Sequence, residues 1–263
     1  MKGNRVILAA HRGDRVNHPE NSIPAFKSAI DFGADMIETD IRISKDGELV
    51  IIHDRSTVRT AGVDKNIDEM TLSQIKELDL GKTFSKDYEI TRIPTVNEFV
   101  SLIKNTDILI NWELKVYPSV FSDEIAFSVA DKLIGIIFDN GLAERSMINS
   151  FSSRVLEYIY KKYEKAFVIH GQGIHNCRRS KDDPKLPEKE FFDWCCLYPE
   201  KKGKLAIDYK ENFDYCNKNG ILPCICIPDD YDNYKKALEY GCKMFTSNDI
   251  YECDKILKIL GVR

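Results

Sequence analysis

Two histidines, His11 and His53, bracket a short stretch that also holds Arg12, next to the first histidine, and two carboxylates, Glu38 and Asp40. Imidazoles titrate near neutrality, so a pair of them can act as acid and base on one reacting group. Glu38 and Asp40 are two residues apart in the run ADMIETDIRI, which reads as a strand. Side chains at i and i+2 of a strand leave the same face, so both carboxylates point one way. Held that close they repel each other unless a proton is taken up or a cation lies between them. A divalent metal is the more economical solution. Arg12 offers a planar, permanently charged fork that suits two phosphate oxygens, or a salt bridge to Glu20 or Asp14.

Three apolar runs must position these groups: VILAAHRG, ADMIETDIRI and ELVIIHD. A strand that serves only a core has no need to finish on His-Arg or to carry Glu-x-Asp. Strand and helix then alternate along the chain. SIPAFKSAIDFG reads as a helix with Ser22 as its N-cap, TLSQIKELDL as a short helix and GKTFSKDYEITRIP as irregular. TVNEFVSLIKN and the segment from about Ser122 to Asn140 read as further helices. Beyond Gly171 comes a polar loop with at most a short helix. Setting ELVIIHD aside in an insertion over about 44–92 leaves eight strands: VILAAHRG, MIETDIRI, ILINWELK, SMINSFS, KAFVIHG, DWCCLYP, ILPCICI and KMFTSND. In a chain of 263 residues this predicts an α/β TIM (β/α)8 barrel. It would be a single domain over 1–263, with its insertion between strand 2 and helix 2. An open doubly wound sheet would place G-x-G-x-x-G after the first strand, and the chain has none there. The mouth of a TIM barrel lies at the strand C-termini, where His11, Glu38, Asp40, Glu113 and Lys115 all fall. The insertion is expected to pack over that mouth and to bring His53 in from outside the wall.

HRG, PEN, a helix ending in FGAD, IETDIRISKDGELVIIHD, then WELK at Trp112–Lys115 and SF at Ser150–Phe151 resemble the glycerophosphodiester phosphodiesterases. The resemblance is dense over the first half of the chain and thin over the second. It implies metal-dependent hydrolysis of small-molecule glycerophosphodiesters to glycerol 3-phosphate and an alcohol. The substrate's own hydroxyl would attack through a cyclic phosphate, or water would attack directly. Glu38, Asp40 and Glu113 match metal-binding carboxylates, and oxygen donors suit one Mg²⁺ or Ca²⁺. Without the resemblance the alternative is mouth carboxylates paired with Arg42, Lys115 or other cations. His11 and His53 match the acid–base pair, and Arg12 and Lys115 the phosphate-binding cations. Glu20 and Asn21 would orient Arg12 or His11, or cap the first helix. Phe151 matches an aromatic position near the substrate, and on pattern alone is a core residue. Where the family carries W-T-V-N, this chain has Cys226, Ile227, Pro228 and Asp229, so a tryptophan of the pocket wall is missing. The family's closing T-D appears as Thr246-Ser247-Asn248-Asp249.

With 43% hydrophobic and 30% charged residues and a formal net charge of −4, the chain suits a globular enzyme and disfavours a nucleic-acid partner. Five uninterrupted apolar residues before His11 fall short of a signal-peptide core. No run reaches the roughly 18 apolar residues of a membrane span. A cytoplasmic protein with no membrane anchor is expected. The eight cysteines form no C-x-x-C pair and read as reduced thiols. His18, His170 and His175 read as structural. A lysophospholipase D or sphingomyelinase D type enzyme would need an apolar path for an acyl chain. The insertion is polar, with Leu80, Phe84 and Tyr88 scattered through it. A non-catalytic phosphate-ester binding protein would have lost motif positions that are intact here.

Overall fold

Near-continuous apolar runs along the strands call for two buried faces, one toward a barrel axis and one toward a surrounding layer of helices. The computed structural model describes residues 5–117, 119–164, 166–173, 188–199, 201–226 and 230–263. In chain order its elements are β1 (Ile7–His11), α1 (Ile23–Phe32), β2 (Met36–Ile43), β3 (Leu49–Ile51), α2 (Val58–Ala61), α3 (Leu72–Lys76), α4 (Gly81–Phe84), α5 (Val96–Ile103), β4 (Leu109–Leu114) and α6 (Asp123–Asp139). They continue with β5 (Ser146–Ser150), α7 (Ser153–Lys162), β6 (Val168–Gln172), α8 (Glu188–Phe191), β7 (Trp194–Leu197), α9 (Lys210–Lys218), β8 (Leu222–Cys226), α10 (Tyr231–Glu239), β9 (Met244–Ser247) and α11 (Ile250–Ile259). Every strand but β3 is parallel to its neighbours, and β1 pairs with both β2 and β9, closing a TIM barrel. Its eight strands are the eight read from the sequence.

β3 pairs antiparallel with β2, Ile41 opposite Ile51 and Ile43 opposite Leu49. β2 meanwhile runs on directly to β4. The insertion is thus a hairpin outside the barrel wall, and the barrel's second helix is α5. Only Leu49–Ile51 of ELVIIHD pairs as strand, with His53 just beyond it.

Register then places the chemistry. On the inner face Ala9, Met36, Met147, Trp194 and Met244 pack around the axis. On the outer face Leu8, Ile37, Ile110, Trp112 and Ile148 pack against Phe26 of α1 and Leu133 of α6. Glu38 and Asp40 share the parity of Met36, so they point inward. His11 lies opposite Glu38, and Asp40 lies opposite Glu113.

Two local readings are corrected. GKTF, expected to be irregular, forms the one-turn helix α4. The insertion is not simply polar: Val50, Ile52, Ile67, Ile75, Leu78, Leu80 and Ile93 make a buried core of their own. Their spacing is irregular because the turns of this segment are short, so no period marks them in the sequence.

Ser22 caps α1 by accepting a hydrogen bond from Ala25 N, and Gly33 ends it at φ 88°. Gly13 has a similar φ of 81°, but a Cβ there would lie 2.8 Å from the Ala25 carbonyl carbon, whereas one at Gly33 would meet nothing within 4 Å. Gly33→Ala should therefore cost about 1 kcal/mol, the left-handed strain alone. Gly13→Ala should cost about 3 kcal/mol, because α1 must also move. Urea denaturation of the two variants measures the difference.

Candidate active site

β1 ends at His11, and the chain turns sharply through Arg12 and Gly13, at φ 63° and 81°. That turn aims the Arg12 amide at Glu38, whose backbone oxygen (3.0 Å) and Oε2 (3.2 Å) both accept from it. The chain returns to the mouth at Asn21, again left-handed at φ 56°. Asn21 Nδ2 donates to Asp40 Oδ2 at 2.7 Å. Asn21 is therefore not a helix cap; Ser22 has that role.

Glu38, Asp40 and Glu113 each offer an oxygen within 4.8 Å of the others, and all three are buried. The Lys115 ammonium lies 3.0 Å from Asp40 Oδ1 and contacts Glu113 Oε1. Arg12 Nε lies 3.1 Å from Asp40 Oδ2. Both cations thus lean on Asp40, and burial's upward push on its carboxyl is outweighed by Lys115 and Arg12, which hold it far below the usual range. Glu38 goes the other way. Burial, then repulsion from Asp40 and Glu113, pushes its carboxyl well up. Its Oε1 is buried without a hydrogen-bond partner. An orphaned oxygen inside three converging carboxylates fits a hard divalent cation. The bland reading also holds in part, since Lys115 does pair with two of the three; Arg42 instead donates to the backbone oxygen of His53 at 2.8 Å.

Each histidine has its Nδ1 tied to an oxygen. His11 Nδ1 is 2.6 Å from Asn248 Oδ1, which also accepts from Arg15 Nη1 at 3.1 Å. Arginine can only donate, so the Asn248 atom is an acceptor and His11 Nδ1 carries the proton. Its Nε2 is left with the lone pair, 3.8 Å from Glu38 Oε2. Burial, aided by Arg12, pushes His11 down to about 3, so the ring is neutral. His53 Nδ1 is 2.6 Å from Asp54 Oδ1. The Asp54 carboxyl sits below its usual range because Arg59 and His53 outweigh its burial. Being ionised it can only accept, which again leaves Nε2 free. Burial and the Lys115 charge lower His53 as well.

An ionic chain joins the insertion to the mouth. Arg59 bonds Asp54 and grips Glu20 through Nη1 (3.0 Å) and Nη2 (2.7 Å). Glu20 also accepts from Arg12 Nη1 (2.8 Å) and Arg15 Nη2 (2.7 Å). On the opposite rim the Phe151 ring lies 5.7 Å from Lys115 Nζ and 5.8 Å from the Tyr198 ring. Tyr198 donates to Gln172 Oε1 at 2.6 Å. His18 pairs with Tyr88 OH of the insertion. His175 and Ile227–Asp229 lie outside the described residues. Sequence reading missed Arg15, Asp54, Arg59, Tyr198 and Tyr117, whose hydroxyl donates to Glu113 Oε1 at 3.3 Å, and named Asn248 without a role. The one signal within reach was Asp54, next to His53.

A sequence model of the glycerophosphoryl diester phosphodiesterase family matches residues 11–182, and the chain belongs to that family. A glycerophosphodiester phosphodiesterase of Caldanaerobacter subterraneus subsp. tengcongensis is 39% identical over 161 residues, 60% of this chain. The match spans 63% of that relative's length. A glycerophosphoryl diester phosphodiesterase structure from Silicibacter pomeroyi superposes with a TM-score of 0.81 at 17% identity, covering 98% of this chain and 97% of that one. An Oleispira antarctica phosphodiesterase, solved with its product sn-glycerol-3-phosphate, superposes at 0.78 and 18% identity over 97% of each chain. At these identities the superpositions speak for the fold.

Glu20 gives a pH prediction. Burial pushes its carboxyl up, but the Arg59 hydrogen bonds and the Arg12 and Arg15 charges prevail, bringing it down to about 2. A depressed folded pKa means that its stabilisation is complete above the unfolded value of about 4.5 and is lost as pH falls toward 2. Glu20→Gln should lower stability at pH 7 by roughly 2–3 kcal/mol and flatten the loss between pH 4.5 and 2. Thermal melts across that range measure both.

Proposed function

We propose that this chain, acting as one barrel domain, hydrolyses glycerophosphodiesters to glycerol 3-phosphate and an alcohol, using one divalent cation, Mg²⁺ or Ca²⁺. The observation that carries the reading is the convergence of Glu38, Asp40 and Glu113 beside two histidines with free Nε2 atoms. Family membership and the product bound to the Oleispira antarctica relative support it. A cation on these carboxylates supplies positive charge against the phosphate and its developing negative charge.

The protein's own groups do the rest. Arg12 donates Nη1 to Glu20, sets Nε beside Asp40 as an ion pair, and keeps other N–H donors of its fork for phosphate oxygens. Lys115 adds a point charge from the neighbouring strand. His11 is held neutral by burial, with its Nε2 lone pair available, and acts as the base toward the attacking hydroxyl. His53, whose Nδ1–H is held by the Asp54 carboxylate against the lowering by burial and Lys115, acts as the acid toward the leaving alkoxide. Phe151 walls the site on the Lys115 side. Between the β1–α1 loop and the insertion lies a cavity of about 130 Å³ lined by Arg15, Glu20, Arg59, Thr60, Leu80 and Phe84. Its size and charge suit a small polar alcohol rather than an acyl chain. Among the described residues no helix is long and apolar enough to cross a membrane. We assign a cytoplasmic setting, in keeping with the free thiols of the seven described cysteines.

Turnover of a glycerophosphodiester panel tests the proposal. Activity should require added Mg²⁺ or Ca²⁺, vanish with chelator, and be abolished by Asp40→Asn while the fold is retained. A chelator-insensitive enzyme would refute the proposal. His11→Ala and His53→Ala should each lower kcat by roughly 10²- to 10⁴-fold with KM little changed. A p-nitrophenyl diester, whose leaving group needs little protonation, should rescue His53→Ala and leave His11→Ala impaired. The opposite pattern would exchange the two roles.

A further inference from the structure

Below the acidic mouth a second group of donor atoms meets inside the barrel, and the proposed chemistry does not use it. His170 of β6, Cys196 of β7 and Cys224 of β8 come from three consecutive strands, with Cys196 and Cys224 directly opposite in register. His170 Nε2 is 3.2 Å from Cys224 Sγ. One donor atom from each of the three residues lies within 4.8 Å of the other two, and all three side chains are buried. Cys226 lies two residues past Cys224 and so on the same strand face.

The far side of the histidine supplies a second observation. His170 Nδ1 is 3.1 Å from the Asn111 side-chain nitrogen, while Asn111 Oδ1 is buried with no hydrogen-bond partner. The two ends of an amide have the same shape, and their assignment rests on the network around them. Turned over, Asn111 Oδ1 accepts from His170 Nδ1–H, the orphaned oxygen is satisfied, and Nε2 presents its lone pair to the sulfurs. A histidine that ligates a metal characteristically has its other nitrogen held by such an oxygen.

We infer that His170, Cys196 and Cys224 form a binding site for a soft divalent cation of the zinc class. Two thiolates and a neutral imidazole around a doubly charged ion sum to zero, which a buried site requires. Sulfur and imidazole select zinc-like ions over Mg²⁺ and Ca²⁺, which prefer the oxygens of the mouth, so the two sites sort their ions by ligand type. The site would cross-link β6, β7 and β8. Cys196 and Cys224 lie outside the family match, which ends at residue 182.

Cobalt spectroscopy tests the inference without an activity assay. The reduced full-length chain, stripped with chelator, is titrated with Co²⁺. Thiolate ligation gives a near-ultraviolet sulfur-to-cobalt charge-transfer band and intense visible bands, and carboxylate ligation gives neither. The unmutated chain and Asp40→Asn should both show the bands. Zn²⁺ should bleach them, and Mg²⁺ should leave them unchanged. Cys196→Ala and Cys224→Ala should lose them, with folding checked by circular dichroism. Absence of the bands from the unmutated chain would overturn the site, whether or not the variants fold. So would their survival in a chain lacking both cysteines.

Discussion

Three carboxylates within reach of one another, almost out of contact with water, are the constraint from which the rest of the molecule follows. Inside a protein the repulsion of such charges is far stronger than in water. The structure answers it unevenly. Asp40 receives Lys115, Arg12 and Asn21, while Glu38 receives the Arg12 amide and keeps a bare oxygen. One carboxylate is therefore ionised by the protein's own cations, and its neighbour two residues away remains the expensive one. The strained backbone at Arg12 and Asn21 belongs to this answer, since both left-handed residues deliver a donor to the pair. Such strain persists only where the surrounding structure enforces it.

The insertion is tied to the barrel by charge as much as by packing. From His53 the contacts run through Asp54, Arg59, Glu20 and Arg12 to Asp40, alternating in sign at each step after the imidazole. Links of this kind are modest when exposed and stronger where water is excluded, as at Glu20 and Arg12. A histidine borne by a hairpin outside the wall is in this way held in register with carboxylates borne by the wall itself.

Most of the barrel was legible because strands buried on both faces read as short apolar runs, and because βα alternation in a chain of this length admits few architectures. Glu38 and Asp40 could be read as a pair because two residues in one strand share a face. Asn248 could not be joined to His11, since parallel closure of a barrel brings together residues 237 positions apart. Nothing in the sequence pattern marked Arg15 or Arg59, and only the folded insertion shows both of them meeting Glu20. For Asn21 a cap stood beside an orienting role, because Asn before an apolar helical run is often a cap. Here Ser22 takes that position, and Asn21 is turned to Asp40 by its left-handed φ. The small core under the insertion left no periodic trace because its helices span a turn or so each.

The direct pairing of β2 with β4 carries one more consequence. No hydrogen bond of the closed wall depends on β3, so the hairpin and its helices are an accessory to a barrel that is complete without them. The three carboxylates and one histidine belong to the permanent frame, and the second histidine belongs to the accessory. Exchange or remodelling of that segment would therefore leave the barrel's strand pairing intact while shifting His53 and the adjoining cavity. The parts of this molecule that are free to diversify are those that carry His53 and line that cavity.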